Sequence, residues 1–399
     1  MRRLLYNFQL VNADFNNSEA KMAMVIENGI IVWIGKKSKV SKKEKFKTEL
    51  DLKNAKIFPS FIECHTHAVF GGSRADEFEL RNNGVSYLEI AQRGGGILST
   101  MNKTRKASVA DLLLKSKKFI DNYLVQGVST VEVKSGYALD LKNEIKSLEV
   151  ANQLAGLYGK GKAPRIVPTF LGAHAKPPEF ESYSEYLNFL VEKVLPVIKR
   201  KKLSRRVDIF IEKNFFEAKE SRQYLEKAKS MGFNLVVHAN QLTLSGGAEL
   251  ALDLQAQSAD HVIHLNEDTI RQFARSSTVA VLLPAADLYM KCPYPPARKL
   301  IDAGATVALA TDFNPGSCPT QDLSLVGLLA RLEMKMTLPE VFKAYTLGAA
   351  KALGLEREEG TLEIGKRANF ISTYADITDF FYSVGAMPEH QLFIGGNKV

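Results

Sequence analysis

The stretch Phe58-Pro-Ser-Phe-Ile-Glu-Cys-His-Thr-His67 decides how this chain is read. An apolar run ends in His-x-His. Residues i and i+2 of a β-strand point to the same side, so both imidazoles are expected to project together from the end of a strand. Histidine is scarce, seven in 399 residues, which makes a chance pair a poor explanation. A pair at that spacing suits a divalent metal.

The chain changes its period on either side of this run. Before it, short strands are predicted at 4–11, 22–26 and 29–34, and Asn28-Gly29 is a two-residue hairpin signal. From residue 57 onward, apolar strands at 57–64, 129–133, 166–171, 207–211, 234–238, 259–263, 279–283 and 306–310 alternate with amphipathic stretches at 111–125, 142–157, 185–199, 221–231, 247–254 and 297–303. That alternation predicts an α/β fold, a (β/α)8 TIM-like barrel, with an open doubly wound sheet as the alternative. The polar residues favour the barrel. His67, Lys134, His174, Lys213, His238, His261 or His264, and Asp312 fall at strand ends or just beyond, where barrel enzymes gather their chemistry. From Gly360 the pattern returns to β, with a strand at 391–394 and a Gly395-Gly396 turn. The expected organisation is a catalytic barrel over 59–357, with 1–58 and 358–399 forming a small β-sandwich-like domain from both termini.

Composition narrows the class. A hydrophobic fraction of 45% and a charged fraction of 24% describe an ordinary soluble globular protein. No apolar run approaches the roughly 20 residues of a membrane helix, so no membrane partner is expected. The start, Met1-Arg-Arg-Leu-Leu-Tyr-Asn-Phe-Gln, is broken by Asn and Gln and does not read as a signal peptide. Cys64, Cys292 and Cys318 are odd in number and widely spaced, which points to reduced thiols and a cytoplasmic location. The net charge of +9 concentrates at 36–47 and 199–206. Neither run is interleaved with aromatics as a stacking platform. A solvated loop and a helix C-terminus are preferred to a nucleic-acid surface. A positive field still attracts an anionic small substrate.

Four residues stand out as metal ligands: His65, His67, His238 after Phe-Asn-Leu-Val-Val, and Asp312 after Val-Ala-Leu-Ala-Thr. Three imidazoles and a carboxylate can hold Zn²⁺, or iron, and leave a position for water, which the metal makes acidic. Asp312 beside that water can carry its proton to a leaving nitrogen. His261, in Ser258-Ala-Asp-His261, is either a fifth ligand or a group that polarises a carbonyl. His264 competes for that role, but its odd offset puts it on the opposite strand face, so His261 is preferred. His390 lies in the terminal segment and reads as incidental. Arg74 follows Gly71-Gly72-Ser73 and suits bidentate capture of a carboxylate. Tyr137 and His174 sit just past the second and third strands. The Asn314-Pro-Gly-Ser317 turn is expected to expose backbone N–H groups and a hydroxyl to an anionic or amide group.

Ordered along the chain, His-x-His, His, His and Asp resemble the amidohydrolase superfamily and, within it, the imidazolonepropionase family. The motifs carrying the resemblance are His65-Thr-His-Ala-Val-Phe-Gly-Gly-Ser-Arg74, Gly94-Gly-Gly-Ile-Leu-Ser-Thr100, Glu132-Val-Lys-Ser-Gly-Tyr137, Phe170-Leu-Gly-Ala-His174, Ser258-Ala-Asp-His261 and Thr311-Asp-Phe-Asn-Pro-Gly-Ser317. The similarity spans most of the barrel and, more loosely, the flanking β-segments. It implies hydrolysis of 4-imidazolone-5-propanoate to N-formimidoyl-L-glutamate, with one Zn²⁺ or Fe³⁺ per subunit on His65, His67, His238 and Asp312. It also implies substrate contacts from Arg74, Tyr137, His174 and Gln241, with Asn314, Gly316 and Ser317 near the propionate or product end, and a homodimer. His261 and Asp312 are then the catalytic pair. Three positions depart from the pattern or bear on it. Gln241 stands where some members carry Glu and cannot act as a base, so proton transfer should rest on Asp312 aided by His261. Ala138 replaces a usual Gly. Lys213 follows the fourth strand, where binuclear relatives place a carboxylated lysine, and it is read as a bystander because the family resembled is mononuclear.

Overall fold

The apolar run expected as one strand is divided between two sheets. In the computed structural model, which describes residues 2–15, 17–41, 43–85, 89, 95–159 and 161–399, the chain opens with β1 (Arg2–Val11), β2 (Ser18–Glu27), β3 (Ile30–Lys36), β4 (Thr48–Asp51) and β5 (Lys56–Pro59). Eight strands follow: β6 (Phe61–Glu63), β7 (Val128–Lys134), β8 (Arg165–Ala173), β9 (Arg206–Ile211), β10 (Asn234–Ala239), β11 (Ser258–His261), β12 (Val279–Leu282) and β13 (Val307–Leu309). The chain closes with β14 (Phe370–Thr373), β15 (Gln391–Ile394) and β16 (Asn397–Lys398). Ser60 marks the change of sheet. Pro59 before it lacks the N–H that a continued ladder needs. The Ser60 N–H donates to Asn369 O, and the Phe61 N–H donates to Gly127 O.

The terminal sheet runs β16-β15-β14-β5-β1-β2-β3, with β4 beside β1. Both ends of the chain therefore build it, as expected, with β14 antiparallel to β5. Asn28 and Gly29 take φ of 52° and 83°, the left-handed pair that a two-residue hairpin turn requires. One face buries Phe8, Met24, Ile57, Phe370 and Phe393, and the rings of Phe370 and Phe393 stack at 4.5 Å.

The barrel strands follow one another in chain order, β6 to β13, and every pairing between them is parallel. Closure lies just beyond the strands. The His67 N–H donates to Phe313 O at 2.9 Å, and the Asp312 N–H donates to His65 O at 3.1 Å. β7 is buried at every residue, as befits a parallel sheet covered on both faces. Amphipathic helices supply the cover, including Val109–Val125, Leu141–Leu154 and Ala218–Ser230. Ser108, Asp140 and Asp322 cap helix N-termini by accepting a backbone N–H.

Two local expectations are corrected. The helix expected at 185–199 is interrupted. It comprises Tyr183–Phe189, a π-helical turn Leu190–Val194 and Leu195–Lys201. Pro196 lies in the first turn of the last piece, and its missing N–H prevents a continuous α-helical ladder. The basic run at 199–206 is also not uniformly solvated. Lys199, Arg200 and Lys201 occupy a helix's last turn. Arg206 is buried and donates to Thr169 Oγ1, Gln257 and Ala352 O. Among the described residues, all three cysteines are free thiols, and no helix is long and apolar enough to cross a membrane.

An aromatic cluster joins the two sheets. The Phe58 ring meets Phe61 at 5.9 Å, Phe342 at 5.3 Å and Phe380 at 5.4 Å. Phe58→Ala should destabilise the protein by about 3–5 kcal/mol, because a buried ring leaves a cavity its neighbours fill only in part. Equilibrium urea unfolding measures it, and a loss below about 1 kcal/mol would show that the seam repacks freely.

Candidate functional site

β6 ends at Glu63, so His65 and His67 lie just past the strand rather than within it. Their backbone is held by the closing contacts to the segment just past β13, where Thr66 bridges Phe313. The effect matches the expectation from i, i+2 spacing. His65 Nε2 and His67 Nε2 each lie 3.3 Å from the same oxygen, Asp312 Oδ1. Two groups share His65: His65, His67 and Asp312, and His65, His238 and His261. Within each, the ligand-capable atoms lie within 4.8 Å of one another. The His65 and His238 ring centroids are 4.6 Å apart.

This cluster is buried and incompletely satisfied. His65 Nε2, His67 Nδ1, His238 Nε2 and His261 Nδ1 have no hydrogen-bond partner. A buried polar atom left unpaired costs about 1–3 kcal/mol, and native interiors rarely tolerate several together. The orphaned His65 Nε2 and His238 Nε2, with His67 Nε2 beside Asp312 Oδ1, are a donor set that a cation would satisfy, so the residues present fit a metal.

The backbone bends to make this arrangement. His261, Val262 and Asp312 have φ of 75°, 45° and 53°. Non-glycine residues in this region carry strain of order 1–3 kcal/mol each. The turn at His261 also separates it from His264. His264 lies past the strand, half-buried, exchanging backbone and side-chain hydrogen bonds with Asn240, and it does not line the cavity.

Behind the imidazoles sits a layer of buried charge. Asp260 Oδ2 lies 2.6 Å from His65 Nδ1, and Asp208 Oδ1 lies 3.0 Å from His238 Nδ1. Lys134 Nζ is 2.8 Å from Asp208, 2.8 Å from Glu132 and 3.7 Å from Asp260. Burial works to raise the Asp312 carboxyl, but its contacts with His65 and His67 outweigh it and hold the group well below the usual range. Burial pushes His67 down to about 4 and His261 down to about 3. His65 is opposed by burial and by Lys134, yet Asp260 and Asp312 carry it up to about 9. Burial raises the Glu63 carboxyl to about 8 against the hydrogen bonds it accepts from His65 and Thr311.

A cavity of about 280 Å³ opens over this floor. It brings together the sequence-predicted residues Arg74, Tyr137, His174, Gln241, Asn314, Gly316 and Ser317 with His67, His238, His261 and Asp312. His65 lies beneath, fully buried. His174 stacks on His67 at 5.2 Å and 23°, with Nδ1 2.9 Å from Gly136 O. Tyr137 lies 5.2 Å from the His174 ring. Arg74 Nε pairs with Glu77 at 2.9 Å, and the other Glu77 oxygen accepts the Gly96 N–H. Gly316 packs so closely on the Arg74 guanidinium that a Cβ there would collide with it.

The Asn314–Ser317 turn differs from expectation. Its Gly316 and Ser317 N–H groups donate to Asn314 Oδ1 at 2.9 and 2.7 Å, and Asn314 Nδ2 donates to Asp312 O at 2.7 Å. The turn directs those N–H groups inward onto Asn314, whose amide in turn braces the Asp312 carbonyl. Lys213 is exposed and outside the cavity. His390 is half-buried against Pro388 O, elsewhere in the fold. Gly94, which opens one of the quoted motifs, lies outside the described residues.

Sequence reasoning missed Asp208, Asp260, Glu132 and Glu63 as supports. Their signal was present: each is an acidic residue inside an otherwise apolar barrel strand or run. It also missed the apolar walls Ile97, Phe210, Phe215, Leu242 and Met290, which carry no motif.

Comparison with known proteins bears on family and fold. A model of the Amidohydrolase family matches residues 211–399. An imidazolonepropionase from Bdellovibrio bacteriovorus is 54% identical over 380 residues, covering 94% of this chain and 88% of that protein. One from Bacillus thuringiensis is 43% identical over 351 residues, covering 88% and 82%. Among solved structures, a triazine hydrolase variant aligns with a TM-score of 0.76 at 16% identity, covering 100% of this chain and 94% of that one. A zinc-bound adenosine deaminase from Xanthomonas campestris aligns at 0.73 and 16%, covering 99% and 92%. At that identity the structural likeness concerns the fold alone.

The neutral, buried His261 has a consequence for stability. Its folded value of about 3 lies below the 6.5 of a free imidazole, so the unfolded chain binds more protons between them. The stabilisation is present above 6.5 and is lost as pH falls through that window. Metal-free His261→Asn should therefore lose less stability than wild type between about pH 7 and about pH 4, by on the order of 2–3 kcal/mol. Urea unfolding at both pH values measures this. Equal losses would mean that His261 takes up its proton without unfolding.

Proposed function

The chain belongs to the imidazolonepropionase family of amidohydrolases, and on that premise we propose that it hydrolyses 4-imidazolone-5-propanoate to N-formimidoyl-L-glutamate in histidine degradation. The observation carrying this reading is the buried cluster of His65, His67, His238, His261 and Asp312, in two groups that share His65, at the floor of a cavity that also holds Arg74. The amidohydrolases are metal-dependent enzymes. Here His65, His67, His238 and Asp312 would hold one Zn²⁺ or Fe³⁺. When bound, such a cation acidifies a coordinated water and polarises the carbonyl it faces.

The remaining work belongs to the chain. Asp312, held ionised by its histidine contacts, accepts the water proton and passes it to the departing ring nitrogen. His261 is kept neutral by burial, so one ring nitrogen bears a proton and can donate to the developing oxyanion. Gln241 has no basic function, which leaves the proton to Asp312. Arg74 binds the propionate, its guanidinium fixed by Glu77 and by contact with Gly316. Tyr137 and His174 orient the ring, while Asn314, Gly316 and Ser317 form the propionate or product end. Phe210, Phe215, Leu242 and Met290 keep bulk water from the reacting bond. Residues 59–357 form the catalytic unit in this reading, with 1–58 and 358–399 as the second domain. The active form is a homodimer in the cytoplasm.

Purified protein should turn over freshly prepared 4-imidazolone-5-propanoate, yield formimidoylglutamate by mass, release no ammonia and lose activity on chelation. Ammonia release would point instead to a deaminase. Metal-loaded protein without turnover would overturn the substrate assignment. Arg74→Ala should raise KM more than it lowers kcat, because uniform binding is lost. A fall in kcat at unchanged KM would place Arg74 at the reacting centre.

A further inference from the structure

We propose that Lys134 is a positioning residue for the metal site: one buried ammonium that aims three of its supports at once. The inference rests on the metal reading above and concerns a residue that reading does not use. Lys134 ends β7 and is fully buried. It does not line the cavity, so it touches neither substrate nor solvent. Its Nζ gathers three carboxylates from three strands: Glu132 on β7, Asp208 on β9 and Asp260 on β11.

Each carboxylate reaches a different part of the ligand set. Asp208 turns Oδ2 to Lys134 and Oδ1 to His238 Nδ1 at 3.0 Å. Asp260 Oδ2 lies 2.6 Å from His65 Nδ1. Glu132 turns Oε1 to Lys134 and accepts the Thr66 N–H on Oε2 at 3.1 Å, holding the backbone between His65 and His67. A carboxylate at Nδ1 requires the proton there, which leaves the Nε2 lone pair of His65 and His238 facing the cluster. Those are two of the nitrogens without a partner.

The carboxylates cannot hold these positions alone. Three buried negative groups repel one another and lose their hydration, and they stay ordered only around a compensating cation. An ammonium suits the task because its donors bond Glu132 and Asp208 at 2.8 Å while its charge reaches Asp260 at 3.7 Å. Lys134 thereby couples the imidazoles of His65 and His238 and the Thr66 backbone between His65 and His67 into one rigid unit.

The test compares zinc binding by chelator-stripped wild type, Lys134→Met and the double variant Lys134→Met/Glu132→Gln. The double variant removes one charge of each sign, and the Gln carbonyl can still accept the Thr66 N–H. It should therefore fold even where the single variant does not. Zinc affinity should fall about 10- to 100-fold in the double variant at near wild-type secondary structure and unfolding cooperativity. Wild-type affinity in the folded double variant would overturn the proposal. A measurement on unsubstituted protein stands independently: histidine ¹⁵N spectra of the zinc-loaded chain should place zinc on Nε2 and the proton on Nδ1 for both His65 and His238. Zinc on Nδ1 of either would also overturn it. Failure of the wild type itself to take up zinc would remove the metal reading and this inference with it, whereas uptake with unchanged variants removes only the role of Lys134.

Discussion

Everything at the active face depends on where the barrel closes. The first and last strands do not meet through a long ladder. They meet through two backbone hydrogen bonds just past their ends, from His67 N–H to Phe313 O and from Asp312 N–H to His65 O. The residues that close the barrel are thus the metal-ligand candidates themselves or their immediate neighbours. Closure sets the distance between the His-x-His segment and Asp312, so correct folding and correct ligand geometry are one event. Glu63 strengthens the seam by accepting the N–H groups of both His65 and Thr311.

That economy carries an energetic cost that the rest of the molecule offsets. Four orphaned nitrogens, several left-handed non-glycine residues and a core of buried charge are each unfavourable by a kilocalorie or more. A large barrel core and the aromatic seam around Phe58 supply the opposing stability. Local conflict concentrated at one place in an otherwise consistent fold is the expected signature of a functional site.

Sequence and structure agree most where a residue's role follows from its place along the chain. His65, His67, His238 and Asp312 were legible because each ends an apolar run, and a strand end in a barrel can point only to one face. The alternation of strand and helix was legible for the same reason. Pairing between strands was not, since no periodicity records which side chains meet across the barrel. Asp208, Asp260 and Glu132 could be noticed as charges in apolar strands, but their union around Lys134 needs three strands in register. The break at Ser60 and the inward-turned N–H groups of Gly316 and Ser317 depend on partners distant in sequence or on a side chain's rotamer. His261 lines the cavity and His264 does not, and strand alternation, the reason given for preferring His261, is only part of why. The left-handed turn at His261 ends the strand there.

The same contrast applies to charge. The +9 net charge is a property of the whole chain, whereas recognition of an anion is local. Among the described residues lining the cavity, Arg74 is the one permanently cationic side chain. Its pairing with Glu77 reduces the field it projects, so long-range attraction is weakened and geometry gains importance. Gly316 enforces that geometry, because any side chain there would displace the guanidinium. Asn314 braces the Gly316 turn and the Asp312 backbone together. The residue proposed to bind the anion and the one proposed to move the proton are therefore held by one turn, and a shift in either is transmitted to the other.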